Sequence, residues 1–288
     1  MNDKELSLSG RMHRMMKQLE PKLEKVPLLR KYHVHKLPAF GLTYLALRHT
    51  EKISEEPDDI FSFDWDNLII LDACRHDLYE EVNGETDYRI TKESMSKGFI
   101  RENFSEGDYS DVVYITANPF FNEEKFKKLT GRDVDDVFHE VFHTYRTDWS
   151  EEENTVLPES VVRDAETSEK LFPEKKKIIH FMQPHHPFIN FDLVDAGFDD
   201  ILSTEIYDNE WDLAMRGDLE HEVVAEAYRE NLELVMPQVK ELGENLSGKT
   251  MVTADHGNLM GENGLYWHPP RSKAKGLRKV PMTEIKKK

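Results

Sequence analysis

The chain has 288 residues, 38% of them hydrophobic, with one cysteine and a formal net charge of −18. That length supports one large core with an appendage. The lone Cys74 excludes an intramolecular disulfide and a thiolate zinc cluster, and the acidity argues against a nucleic-acid-binding body, which would repel phosphate.

The charge is uneven, because residues 1–50 hold ten Lys or Arg against four Asp or Glu, a balance of +6 that leaves −24 on residues 51–288. In this segment Leu6, Met12, Met16, Leu19, Leu23 and Leu28 recur between basic residues, which predicts amphipathic helices broken at Pro21 and Pro27. A second apolar patch runs from Leu37 to Leu47. Such a segment reads as a helical lid, a partner-binding element, or a peripheral membrane contact through residues 1–50 on anionic lipid. The lid is the plainest of the three. The acidic stretch Glu51–Asp59 marks a boundary, giving an N-terminal basic amphipathic segment (1–59) and an α/β domain (60–288). No run approaches the ~18 apolar residues of a spanning helix, and no signal-peptide pattern is visible, so the expectation is a cytoplasmic protein from a reducing compartment.

Asn67–Leu71 is too short for a buried helix and shows no alternation, so it reads as an interior strand of a parallel sheet. It ends at Asp72, where open α/β sheets place their ligands; the plain alternative is that Asp72 caps the next helix. Leu78 to Val82 predicts a helix closed at Asn83 and Gly84, and Tyr88–Thr91 a short strand. The spacing of Phe99–Phe104 is helical, with Ser96 at the capping position. Val112–Ala117 reads as a second interior strand, and residues 120–145 as mostly helical, with Val137, Val141 and Phe142 on one side. Leu157–Leu171 predicts a helix with Pro158 near its start. Ile178–Met182 is a third strand, followed by Gln183, Pro184, His185, His186 and Pro187. Residues 189–218 show no period and read as an excursion over the active face. Residues 219–242 form the strongest helix, containing Pro237 and ending at Gly243. Thr250–Ala254 is a fourth strand, ending in Asp255, His256 and Gly257. His268 follows a glycine-containing turn, and Lys286–Lys288 form a basic tail expected to be unstructured.

Strands alternating with helices imply a parallel sheet whose carboxyl ends share one edge, so Asp72, His185, His186, Asp255, His256 and His268 converge. Asp and neutral imidazole suit zinc or manganese, whereas an all-carboxylate set would favour calcium or magnesium. Singly these motifs are common in loops; their coincidence at strand ends points to a metal site.

The ordered set Trp65–Asp77, His180–Phe188, Val252–Gly257 and Gly261–Pro269 resembles the sulfatase-like proteins of the alkaline phosphatase superfamily, especially archaeal members. The resemblance implies a mixed, largely parallel sheet sandwiched between helices. It also implies hydrolysis or transfer of phosphate or sulfate esters, anionic substrates, at one or two divalent metal ions (Zn, Mn or Ca). Asp72 matches the family's first metal ligand, Asp255 and His256 the later pair, and His268 the histidine on the next loop. The family's nucleophile lies at a helix N-terminus, which implies Ser96, with Ser94 as the alternative. His185, His268 and Arg75 would then contact ester oxygens or help protonate the leaving group. Two departures stand out. The sulfatase pattern Cys-x-Pro-x-Arg is absent, because Cys74 is followed by Arg75, His76, Asp77 and Leu78, so Cys74 reads as packing material. Gln183 occupies the neighbourhood in which two-metal relatives carry an Asp, which leaves the second ion open. The rival readings are a non-catalytic scaffold member of the fold and a membrane-surface transferase acting on lipid or glycan head groups.

Overall fold

The computed structural model of the chain describes residues 47–191 and 209–287, together with Met15. The expected N-terminal helices before residue 47 and residues 192–208 of the excursion lie outside the described residues. In chain order, β1 (Asn67–Leu71) leads to α1 (His76–Asn83), β2 (Tyr88–Ile90) and α2 (Ser96–Phe104). Then come β3 (Tyr109–Thr116), α3 (Glu123–Thr130), β4 (Phe138–His143) and the single turn α4 (Thr144–Thr147). The two-residue strands β5 (Trp149–Ser150) and β6 (Thr155–Val156) precede α5 (Pro158–Leu171) and β7 (Lys176–Phe181). The chain continues through α6 (Glu210–Arg216), α7 (His221–Asn245) and β8 (Thr250–Thr253). It closes with the hairpin β9 (Leu259–Glu262) and β10 (Leu265–Trp267), then α8 (Lys275–Arg278) and β11 (Lys279–Ile285).

Seven strands form one sheet in the order β2-β11-β8-β1-β7-β3-β4. The five from β8 to β4 are parallel, and β11 is antiparallel to both of its neighbours. The fold is therefore α/β, with a mixed, largely parallel sheet between helices. All five residues of β1 are buried, which is why its apolar run does not alternate: both faces are covered. On one face Ile69, Leu71, Ile179 and Val252 pack with Leu78 of α1, Val161 of α5 and Val235 of α7. On the other, Leu68, Ile70, Tyr114 and Ile178 pack with Phe99 and Phe104 of α2 and Phe126 of α3.

Several elements differ from the sequence reading. Helix α2 begins at Ser96 itself, and Met95 occupies the capping position. The helix expected over 120–145 stops at Gly131, where φ is +77°, and Val141 and Phe142 belong to edge strand β4. Gly243 does not end α7, which runs two residues further. A Cβ on Gly243 would stand 2.3 Å from Cδ1 of Ile285, so the glycine lets β11 close against the helix. Strand β11 and helix α6 were not anticipated. At the start of the basic tail, the Nζ of Lys287 donates to the carbonyl of Leu246. No helix of the described residues is long and apolar enough to cross a membrane.

Phe104 is the hub of the α2 face. Its ring centroid lies 5.1 Å from that of Phe138, 5.6 Å from Tyr109 and 5.8 Å from Tyr114, and Phe61, Phe99, Phe121 and Phe126 complete the surround. Phe104→Ala should cost about 3–5 kcal/mol, read as a lowered urea midpoint, with Phe104→Leu losing less. Equal midpoints for wild type and Phe104→Ala would contradict this packing.

Candidate metal centre

Strands β1 and β8 are adjacent, with Ile70 opposite Thr253, so the residues just past their ends stand side by side. The chain turns at Ala73, whose φ of +58° is left-handed, and the Ala73 N–H donates to Asp255 Oδ1 at 3.0 Å. The N–H of His256 donates to the same oxygen at 2.9 Å. Asp72 Oδ2 accepts from Asn118 Nδ2 at 2.6 Å and from Ser96 Oγ at 3.3 Å, and His180 Nε2 also lies 3.3 Å away. The other two carboxylate oxygens, Asp72 Oδ1 and Asp255 Oδ2, are buried and lack a hydrogen-bond partner.

His256 Nε2 faces both of these oxygens, 3.6 Å from Asp72 Oδ1 and 3.4 Å from Asp255 Oδ2. Its other nitrogen, Nδ1, is 2.7 Å from the carbonyl of Gly257. That bond assigns the proton to Nδ1 and leaves a lone pair on Nε2, the arrangement usual for a metal-ligating histidine. One ligand atom from each of Asp72, Asp255 and His256 lies within 4.8 Å of the others, and all three residues are 0% exposed. Hydrogen bonding leaves two anionic oxygens unpaired at a buried point, where each such group is costly. A divalent cation fits this oxygen-and-nitrogen donor set.

The hydroxyl against this cluster is that of Ser96, whose Oγ is also 3.2 Å from His256 Nε2. Ser94 is engaged elsewhere: its Oγ donates to the Pro269 carbonyl at 2.6 Å and accepts from the Ser272 N–H at 3.1 Å. Cys74 is fully buried in the core, and burial pushes its thiol well above its ordinary pKa, as expected of packing material.

His268 and His185 adjoin the cluster. The ring of His268 is 4.6 Å from that of His256 and 5.1 Å from that of His185. His268 Nδ1 is 2.8 Å from Asn258 Oδ1, and His185 Nδ1 meets the carbonyl of His186, so in both residues Nε2 again keeps the lone pair. His186 instead turns to Glu210, with Nδ1 3.2 Å from Oε2. Arg75 does not reach the cluster as a free cation. Four of its N–H donors go to Asp77 Oδ1 and Oδ2, Asn258 O and Glu262 Oε1, at 2.5–2.9 Å. An Arg so committed holds the loop that carries Asn258, which in turn holds His268. Three residues at the site were missed, Asn118, His180 and Tyr114. For His180 and Tyr114 the available signal was a polar group inside an otherwise apolar strand, which must find a partner when buried; Asn118 lies just past the end of β3.

Burial pushes the Asp255 carboxyl up, and the charge of Asp72 pushes it further. Burial has the same tendency at Asp72, but the contact with His180, and the surrounding histidines as they take up protons on acidification, outweigh it and hold that carboxyl below the usual range. Burial lowers His185 to about 4 and takes His268 well below its ordinary value, so both imidazoles are neutral at pH 7. Arg89 lies beneath the pair, 1% exposed, donating to Thr253 Oγ1 at 2.7 Å and to the Ala254 carbonyl at 2.6 Å.

No protein-family model matches the chain, and no curated protein matches it. Among solved structures it is similar to the soluble domain of lipooligosaccharide phosphoethanolamine transferase A from Neisseria meningitidis, with a TM-score of 0.49 and 14% identity over 75% of this chain and 74% of that one. It is similar also to the C-terminal periplasmic domain of phosphoethanolamine transferase EptC from Campylobacter jejuni, with a TM-score of 0.45 and 15% identity over 75% and 76% of the two chains. A third likeness is to a protein in the alkaline phosphatase superfamily from Vibrio parahaemolyticus, with a TM-score of 0.39 and 12% identity over 85% and 69%. These are likenesses of general architecture.

Two outcomes are expected. Asp255→Asn keeps the acceptor for Ala73 and His256 and removes one of two mutually repelling buried charges. The chelated variant should therefore melt no lower than chelated wild type, while losing the rise in Tm that zinc gives the wild type. An equal zinc-induced rise in both would remove Asp255 from the ligand set. The second concerns pH. His185 is depressed from 6.5 to about 4 on folding, so on acidification the unfolded chain takes up the proton first. Its contribution is intact above pH 6.5 and falls as pH drops toward 4. In chelator, Tm should fall more steeply over that window in wild type than in His185→Asn; identical slopes would contradict the shift.

Proposed function

We propose that the chain is a divalent-metal-dependent enzyme that hydrolyses or transfers phosphate or sulfate esters, with the Ser96 hydroxyl as nucleophile. The observation that carries this reading is a serine hydroxyl at the first residue of a nine-residue helix, in contact with both Asp72 and His256, beside two carboxylate oxygens that have no other partner. Asp72, Asp255 and His256 would hold the cation, with zinc, manganese and calcium as the candidates. When bound, it supplies Lewis-acid neutralisation of an ester oxygen and lowers the pKa of a nearby hydroxyl.

Ser96 attacks the phosphorus or sulfur in line, forming the Oγ bond as the ester bond to the leaving alcohol breaks. The open N–H groups of the first turn of α2 favour the anion at that position. His185 and His268, neutral and with Nε2 unprotonated, suit proton acceptance from the serine or from the incoming water or alcohol. The proton taken from Ser96 can then pass to the departing alkoxide, since an imidazolium of low pKa gives it up readily. A hydrolase and a transferase then differ only in whether water or an acceptor hydroxyl resolves the covalent ester. Peripheral membrane contact through the basic residues 1–50 would favour a lipid or glycan head group as substrate or acceptor. Its test is liposome flotation of the intact chain against one lacking residues 1–50.

The direct assay is turnover of p-nitrophenyl phosphate, bis(p-nitrophenyl) phosphate and p-nitrophenyl sulfate with added zinc, manganese or calcium. Ser96→Ala should abolish turnover, Ser94→Ala should retain it at reduced stability, and Cys74→Ser should stay within about tenfold, ~1.4 kcal/mol in barrier. Full activity in Ser96→Ala would remove the nucleophile. No turnover with any substrate, in protein that binds metal, would favour the scaffold reading.

A further inference from the structure

His180 is the polar exception on an apolar face. It is 0% exposed on β7, in register with Ile70 of β1 and Thr116 of β3, and shares its face with Ile70, Ile178 and Tyr114. A buried imidazole there is costly unless both nitrogens are bonded. His180 Nδ1 lies 3.0 Å from the hydroxyl of Tyr114, while Nε2, which has no hydrogen bond of good geometry, is directed at Asp72 Oδ2 from 3.3 Å. The tyrosine is itself 0% exposed, and its ring is stacked on Phe121 with centroids 4.0 Å apart. The ring of Phe99 meets His180 edge-on at 6.4 Å. The phenol, which burial keeps protonated, donates to Nδ1, and this contact turns Nε2 toward the carboxylate.

We infer that Tyr114 and His180 form a positioning relay across β3, β7 and β1 that, with Asn118, occupies Oδ2 of Asp72 and so presents Oδ1 to a divalent cation. Neither residue touches the ion or the substrate. Both act by fixing the rotation of the carboxylate, which sets a ligand's geometry before the ion arrives. This rests on the metal-centre reading. A purely structural tyrosine–histidine pair would instead contribute to stability alone.

The test is Zn²⁺ affinity of the full chain, measured by competition with a chelating dye, with Asp255→Asn as the control that lacks a ligand. His180→Phe, which fills the space without a donor, should weaken Zn²⁺ binding by about 10–100-fold. Tyr114→Phe should weaken it in the same direction by less, and the double variant no more than His180→Phe, because the two act in series. His180→Gln, whose amide keeps an N–H toward Asp72, should recover part of the loss. If His180→Phe does not fold, Tyr114→Phe decides alone, since it keeps the ring volume. A Zn²⁺ Kd unchanged from wild type in the folded variants overturns the relay and leaves the metal centre standing. Absence of Zn²⁺ binding in wild type overturns both.

Discussion

Asp72 and Asp255 place two carboxylates with no solvent exposure at adjacent strand ends, each with one oxygen left without a hydrogen bond. Removing a carboxylate from water costs several kcal/mol even after relaxation, and the neighbour's charge adds to it. Much of the surrounding structure answers that cost. Two backbone N–H groups and an asparagine amide bind the inner oxygens, and Arg89 supplies a buried positive charge beneath them. What is left over is a pair of outer oxygens and an imidazole lone pair pointing at one another. An arrangement that stabilises the inner half of each carboxylate and leaves the outer half exposed to its partner fits a site that is completed by a cation better than one that is merely packed.

The elements around this pair support one another in layers. Arg75 binds Asp77, Glu262 and the carbonyl of Asn258, the Asn258 side chain meets His268, and the ring of His268 lies tilted against that of His256. Gly257 allows this tight assembly: a Cβ there would stand 2.1 Å from the carbonyl oxygen of Gly276, a backbone atom that cannot swing aside. The loop after β8 is thus pressed against α8 itself, and the orientation of His256 is fixed from behind by its own chain.

The strands that carry the ligands were legible because buried parallel strands are written as short continuous apolar runs, and a run that halts at Asp or His announces its end. β1, β7 and β8 are of this kind. Edge strand β4 was not legible, since its half-exposed pattern satisfies a helical spacing as well as an alternating one, with Val137 and Val141 four apart. β11 was hidden by Pro281, which argues against a strand flanked on both sides. The pairing shows why it is tolerated: residues 279–281 pair only with β2 and residues 282–285 only with β8, so each half has one free side. At the site, Asp72, Asp255 and His256 could be read because ligand types stood at strand ends. His180 and Tyr114 could not be read in the same way, because their partner is a carboxylate on another strand and only the pairing of β3, β7 and β1 brings them to it. For Arg75, sequence shows a cation near a strand end but not the acceptors that bind it.

The register of β8 beside β1 has a further consequence for the newly made chain. Asp72 and Asp255 are 183 positions apart in the sequence, and β8 is followed by β11, which pairs along its other side. During synthesis the first carboxylate, its serine and its asparagine therefore emerge long before the second carboxylate and its histidine. The three side chains Asp72, Asp255 and His256 thus meet only when the central sheet is nearly complete.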